Sequence, residues 1–477
     1  MSIGKTLAIL AAITVLAGCA GTTSAPPGTS AAPQRSQTAP ALRWLTGTNG
    51  LEMTSLKVPR DYAQPAGPQL TIALARLPAT DSAQRIGSIV FNPGGPGISG
   101  IDTIRYGAAT LFTPAMRARF DIVSFDPRGI GLSSPRIRCL ATPPQPSQPY
   151  PRNASERAEW IATAREFDAA CQTNSGDLLP FVGTENVVRD LEQIRAALGE
   201  PKLTYVGMSY GALIGTLYAE RLPTQVRAMI LDAPFDPALD AATEAGDRAA
   251  ALQRQLDLFL ASCASDRTCA FWSDGRTRQA FDALMARFAD APIDGISAAQ
   301  AWDGVLVLLQ AGAWKELAQA LDDARHGDAA LFANMAAGVG SLMDATMAVS
   351  CIDWPLPRDP DWYARLADEL QSTAPDFAGL AAYSGLPCAF WPVPAQRVSG
   401  PVHANGAPSI LIFASTGDAA TPYRWGVSLS HELSSSVLVT RDGDGHGSLG
   451  RGDTCINAIA DAYLLRLEVP ASALTCR

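Results

Sequence analysis

The sequence predicts an α/β fold: a mostly parallel sheet with helices between its strands and a helical cap inserted over the sheet's carboxyl edge. Three observations carry this. Residues 203–215 read as strand, tight turn and helix in immediate succession. Short apolar runs alternate with helical patterns before this stretch and again from Ser409 onwards. Between the two regions, residues 236–405 lose the strand pattern and become Ala-, Leu- and Asp-rich, with several tryptophans and prolines. The 477 residues are 47% hydrophobic and 17% charged, with a formal charge of −9, which describes a globular, mildly acidic chain. No basic cluster points to nucleic acid as a partner.

At the N-terminus a single positive residue, Lys5, precedes an apolar run over 6–17 that ends Leu16-Ala17-Gly18-Cys19. About a dozen apolar residues are too few to span a bilayer and suit the apolar segment of a signal peptide. The ending resembles a bacterial lipobox. That resemblance implies a lipoprotein signal peptide over 1–18, lipidation of Cys19 and membrane anchoring of an exported protein; an ordinary secretory signal is the other reading. Residues 19–41, rich in Ser, Thr, Pro, Gly and Ala, read as a flexible tether. The remainder exceeds a typical single domain and fits one catalytic domain with an insertion: core 42–235, cap 236–405, core 406–477.

Along the core, strands are expected at 52–58, 69–77 and 87–91, the last ending in Asn92-Pro93-Gly94-Gly95-Pro96-Gly97. Glycines there let backbone N–H groups turn toward a ligand. A strand at 121–125 runs into Asp126-Pro127-Arg128-Gly129, whose Asp and Arg are read as a structural pair. Helical patterns at 155–171 and 185–198 precede the strand 203–206. Then come Gly207-Met208-Ser209-Tyr210-Gly211, a helix over 212–220 and a strand at 226–231. After the cap, a strand at 409–414, a helix at 424–433, a strand at 436–440 and a helix at 453–466 complete the chain.

A G-x-S-x-G turn between strand and helix forces its serine into strained geometry and exposes the hydroxyl at the sheet's carboxyl edge, as in α/β hydrolases. Ser209 is therefore the candidate nucleophile, and it needs a base to take its proton. Of four histidines, His326 lies among the cap helices, His403 precedes a strand and His431 sits within a helix. His446 alone follows a late strand in a glycine-rich loop. The imidazole in turn needs a carboxylate. Asp418, just past a strand and before His446, fits the chain order Ser, Asp, His; Asp232, at the end of the strand after the serine, is the alternative. Thr421 is placed either to support the acid or merely to turn the chain before Pro422, while Asp442 and Asp444 are expected to be solvated.

Removing Cys19 from the nine cysteines leaves eight, an even number in a chain read as exported, which suggests disulfides. The eight fall as successive neighbours, giving the expected pairs 139–171, 263–269, 351–388 and 455–476. No C-x-x-C or H-E-x-x-H motif supports zinc or dithiol chemistry.

Together GMSYG, NPGGPG, DPRGIGLS, GDAATP and GDGHG resemble the tripeptidyl aminopeptidases and prolyl-aminopeptidase relatives of the α/β-hydrolase fold, over roughly 42–477. The resemblance implies a Ser209–Asp418–His446 triad, oxyanion donors on the backbone of Gly95 and Tyr210, and no metal or organic cofactor. Prolyl aminopeptidases usually carry His before Gly-Gly-Pro-Gly; Pro93 stands there instead, which favours the tripeptidyl branch. The expected activity is an exported serine aminopeptidase acting on peptides with free N-termini. A carboxylesterase and a non-catalytic envelope binding protein are the alternatives. An exopeptidase must hold its substrate's ammonium with a carboxylate. Asp353, beside a disulfide cysteine, Trp354 and Pro355 in the cap, is the expected partner, with a surface or salt-bridged aspartate as the other reading.

Overall fold

A computed structural model describes residues 42–47, 50–140, 146–396 and 400–477. The expected signal peptide, the lipidated Cys19 and the tether lie outside these residues.

Ten strands form one sheet. They are β1 (Leu45–Thr46), β2 (Glu52–Pro59), β3 (Gln69–Leu77), β4 (Gly87–Asn92), β5 (Phe120–Asp126), β6 (Leu203–Met208), β7 (Val226–Asp232), β8 (Ile410–Gly417), β9 (Ser436–Asp444) and β10 (Leu474–Cys476). Their order is β1-β2-β3-β5-β4-β6-β7-β8-β9-β10. The edge formed by β1 to β3 is antiparallel, and β3 meets β5 antiparallel. Every pairing from β5 to β10 is parallel.

Both faces of the parallel part are covered, which is why β4 and β5 are buried at every position. Alternate residues serve opposite sides. Val90, Val123 and Tyr205 pack with the helices Thr184–Ala197 and Tyr210–Arg221, whereas Phe91, Ile122 and Val206 pack with Gly100–Leu111 and Thr454–Arg466. The helices Gly100–Leu111 and Pro114–Arg119 were not expected from the sequence. Ser99 and Thr113 cap them, accepting from the N–H of Asp102 and Met116, and Pro114 starts the second. β9 runs on to Asp444 because it pairs with Gly417 of β8, and β10 exists only by pairing with β9.

Between β7 and β8 the chain forms the helices Ala241–Ser265, Thr277–Asp290, Ala298–Ala311, Trp314–Arg325, Ala330–Asp353, Pro360–Leu370 and Ala378–Tyr383. They enclose a core of their own around Leu256, Phe259, Phe281, Trp302 and Phe332. The end of Ala330–Asp353 instead joins the sheet-side core through Val349 and Ile352.

Asp126 and Arg128 do structural work, though not with each other. The Asp126 carboxylate accepts from Ser99 Oγ (2.7 Å) and from the N–H groups of Ile101 and Leu132. Arg128 is fully buried against Asp190, with Nη2 2.6 Å from Oδ1, and Tyr62 donates its hydroxyl to the same carboxylate. A buried charge is tolerable only when so matched.

The four disulfides are Cys139–Cys171, Cys263–Cys269, Cys351–Cys388 and Cys455–Cys476. They fit an oxidising compartment. Non-reducing peptide mapping should return these pairs, and crossed connectivity would contradict them. Loop-closure entropy makes the Cys351–Cys388 bridge, which closes 37 residues, worth more than Cys263–Cys269, which closes six. Chemical denaturation of paired Cys→Ser variants should lose roughly 4 kcal/mol for the first and roughly 2 kcal/mol for the second.

Candidate active site

Ser209 links β6 to the helix Tyr210–Arg221 at φ +58° and ψ −125°. Holding a non-glycine residue there costs on the order of 1–3 kcal/mol, so its surroundings must over-determine it. They do so on three sides. β6 is pinned between β4 and β7, Ser209 N–H donates to Asp232 O at 2.9 Å, and Gly211 lies so close to β4 that a Cβ would stand 2.2 Å from Asn92 O. Ser209 itself is half-buried, and among the described residues its hydroxyl has no hydrogen-bond partner.

The loop after β4 passes directly beside this turn. Asn92 Oδ1 accepts from Gly94 N–H at 3.0 Å. Gly94 adopts φ +97°, and a Cβ there would meet Met208 O at 2.5 Å and Tyr210 N at 2.8 Å. The N–H groups of Gly95 and Tyr210 reach no acceptor among the described residues. Tyr210 opens its helix, where the partial positive charge of the helix end is concentrated. Thr346 Oγ1 donates to Pro96 O at 2.7 Å, which lays the helix Ala330–Asp353 over the loop.

His446 follows β9, and Asp418 follows β8. An ionised carboxylate only accepts, so the imidazole donates from Nδ1 to Asp418, 2.9 Å to Oδ2 and 3.1 Å to Oδ1. This leaves Nε2 as the acceptor. The buried Asp418 carboxylate also accepts from the N–H groups of Ala420, Thr421 and Gly447 and from Thr421 Oγ1. Burial alone would raise Asp418, but the His446 charge and these donors outweigh it and hold the carboxyl below its ordinary value. For His446, burial would lower the pKa; the opposing charge and hydrogen bond of Asp418 prevail, and the imidazole is raised above 6.5. Thr421 thus contacts both partners, its Oγ1 lying 3.3 Å from Nδ1.

Asp232, the alternative acid, is fully buried and has another task. Its carboxylate accepts from Ser448 N–H at 2.9 Å and 3.0 Å and from Leu449 N–H at 2.9 Å. One residue therefore ties the Ser209 turn through its carbonyl and the His446 loop through its side chain. Burial pushes Asp232 up to about 6 despite these donors. Asp442 and Asp444 are exposed, as expected, and His326 and His403 lie at the surface.

The expectation for Asp353 needs correction. It is 1% exposed at the end of its helix, where Oδ1 accepts from Thr184 N–H at 2.9 Å and Oδ2 from Thr184 Oγ1, with the Tyr210 hydroxyl 3.5 Å away. A carboxylate committed in this way clamps the cap onto the residue after Ser209 and does not face a substrate ammonium. Two further groups gave no sequence signal. Gln310 O, in the cap, accepts His446 N–H at 2.7 Å, and Arg451 donates to His446 O at 2.6 Å and to Ala311 O at 2.9 Å.

A strained serine at a strand-to-helix turn, a neighbouring imidazole–carboxylate pair and free N–H groups on a parallel sheet's carboxyl edge define an α/β hydrolase of the serine-hydrolase class. Residues 87–285 match the family described as alpha/beta hydrolase fold, and residues 374–476 the family described as TAP-like protein. Among curated proteins, the chain is 34% identical to serine protease Hip1 of Mycobacterium tuberculosis, covering 88% of this chain and 86% of that one. It is 33% identical to tripeptidyl aminopeptidase of Streptomyces lividans, over 88% and 82% of the two chains. It is 32% identical to carboxylesterase B of Mycobacterium tuberculosis, over 88% and 85%. The chain belongs to the tripeptidyl aminopeptidase-like family of α/β hydrolases.

The electrostatics are directly measurable. By NMR titration the His446 imidazole should show a pKa above 6.5. In Asp418→Asn the burial that opposes its charge is left less opposed, so the value should fall. An unchanged value would contradict the pairing.

Proposed function

We propose that the protein is an exported serine aminopeptidase that releases short N-terminal peptides through an acyl-enzyme. The observation that carries the proposal is the pairing of His446 Nδ1 with the buried Asp418 carboxylate, on a loop that Asp232 ties to the Ser209 turn. The relatives named as a serine protease and a tripeptidyl aminopeptidase support a peptide substrate. The disulfides and the apolar N-terminal run support export, with Cys19 as the anchor.

In this reading Ser209 Oγ attacks the scissile carbonyl while His446 Nε2 takes its proton. Negative charge develops on the carbonyl oxygen, where the N–H groups of Gly95 and Tyr210 receive it. The imidazolium, stabilised by Asp418, gives the proton to the leaving amine as the C–N bond breaks. Water then attacks the acyl ester with His446 again as base, and the released peptide frees Ser209. The unengaged serine hydroxyl is compatible with this, because such contacts commonly tighten only with substrate.

The relative named carboxylesterase B favours a second reading on the same machinery, since ester cleavage uses the same groups. Turnover of a tripeptidyl arylamide against a short acyl ester separates the two; efficient ester cleavage without amide cleavage would reverse the choice. A fluorophosphonate should label Ser209, and absence of labelling in folded protein would remove both enzymatic readings. Asp418→Asn should lower kcat on the order of 10⁴-fold with the fold intact; near-normal activity there, with Asp232→Asn inactive, would exchange the roles of the two acids. The base works only when neutral, so activity rises with pH through the His446 pKa. Because that pKa is raised, the acid limb of kcat/KM should have its midpoint above 6.5.

A further inference from the structure

An aminopeptidase must recognise a free ammonium at a set distance from the bond it cuts, and Asp353 is committed elsewhere. We propose that Asp303, on the cap helix Ala298–Ala311, holds the substrate's N-terminal ammonium and sets a three-residue acyl unit; this rests on the aminopeptidase reading above.

The helix has two unlike faces. Ala301, Trp302, Val305 and Leu309 are buried in the cap's own core. Asp303, Val307 and Gln310 fall on the opposite side at helical spacing, half-buried although no part of that core. The C-terminal end of the same helix is fixed at the proposed base. Gln310 O accepts His446 N–H, and Ala311 O accepts from Arg451, which also holds His446 O. Asp303 lies seven residues before Gln310, two turns or about 10.5 Å along the axis. A fully extended three-residue peptide spans about 10 Å.

The carboxylate itself is the second indication. Asp303 has no hydrogen bond and no ion pair among the described residues, yet it is half-buried, and burial pushes its pKa up to about 6. Three other buried or half-buried acids between β7 and β8 are occupied: Asp353 by Thr184, Asp247 by Arg424 and Trp425, and Asp376 by Arg278 and Gln253. A partly buried carboxylate without a protein donor is unfavourable, and a primary ammonium supplies both the charge and the donors that it lacks.

The test measures kcat/KM on a free-amine tripeptidyl arylamide, its N-acetylated counterpart and a short acyl ester, for wild type and Asp303→Asn. The variant should lose roughly ten- to a hundredfold on the free-amine substrate, chiefly in KM, as expected for one charge-assisted bond. Its activity on the acetylated peptide and the ester, and its fluorophosphonate labelling, should stay near wild type. Asp303→Glu should keep the preference for the free amine. Should the asparagine variant not fold, Asp303→Ser repeats the measurement. A wild type without preference for the free amine overturns the aminopeptidase reading and this proposal with it. A wild type with that preference, retained in Asp303→Asn or lost equally on all three substrates, overturns the assignment of Asp303 alone. Wild-type preference for a dipeptidyl or tetrapeptidyl unit over the tripeptidyl one overturns the spacing.

Discussion

The fully buried Asp232 is the residue on which the geometry of the site depends. Its carbonyl receives the N–H of Ser209 and its carboxylate receives those of Ser448 and Leu449, so a single position at the end of β7 fixes both the serine turn and the loop that carries His446. Two N–H donors on one carboxylate, that of Ser448 shared between both oxygens, are what make its burial acceptable. Because β7 lies between β6 and β8, the same strand also sets the register of the two strands that present Ser209 and Asp418. Asp232 therefore organises the proposed triad without belonging to it.

The cap is part of the site and not only a cover for it. Gln310 O fixes the His446 backbone, Thr346 fixes Pro96 in the loop that carries the proposed oxyanion donor Gly95, and Asp353 holds Thr184 beside the Tyr210 hydroxyl. These contacts come from two helices that are far apart in sequence from the groups they position. Removing or shifting the cap would disturb the proposed base and both proposed oxyanion donors together, which argues for a cleft assembled by two parts of the chain.

Much of this was legible in the sequence, for physical reasons. Buried parallel strands must be short apolar runs, so β4 to β8 stood out, and the strained turn at Ser209 demands the small residues that surround it. His446 and Asp418 followed from chain order and the scarcity of histidines. What was not legible depends on three-dimensional partners. β10 is three residues long and exists through its pairing with β9; Asp126 and Arg128, two residues apart in sequence and read as a structural pair, turned to Ser99 and to Asp190 instead. Asp353 was placed by the rigidity of its flanks, but rigidity does not say which way a side chain points, and it points inward to Thr184. Asp303 did carry a signal, as an acid within the apolar run 301–309 opposite Trp302 and Val305, yet only the fixing of Gln310 at His446 gives that signal a meaning.

The central claim, that Ser209, His446, Gly95 and Tyr210 converge on one reacting carbonyl, is tested most directly by a crystal structure of the protein inactivated with a peptidyl phosphonate. The account expects phosphorus bonded to Ser209 Oγ, one phosphoryl oxygen within hydrogen-bond distance of both the Gly95 and Tyr210 N–H groups, and His446 Nε2 facing the leaving-group side. A phosphonate attached to another residue, or a phosphoryl oxygen turned away from those two N–H groups, would contradict it.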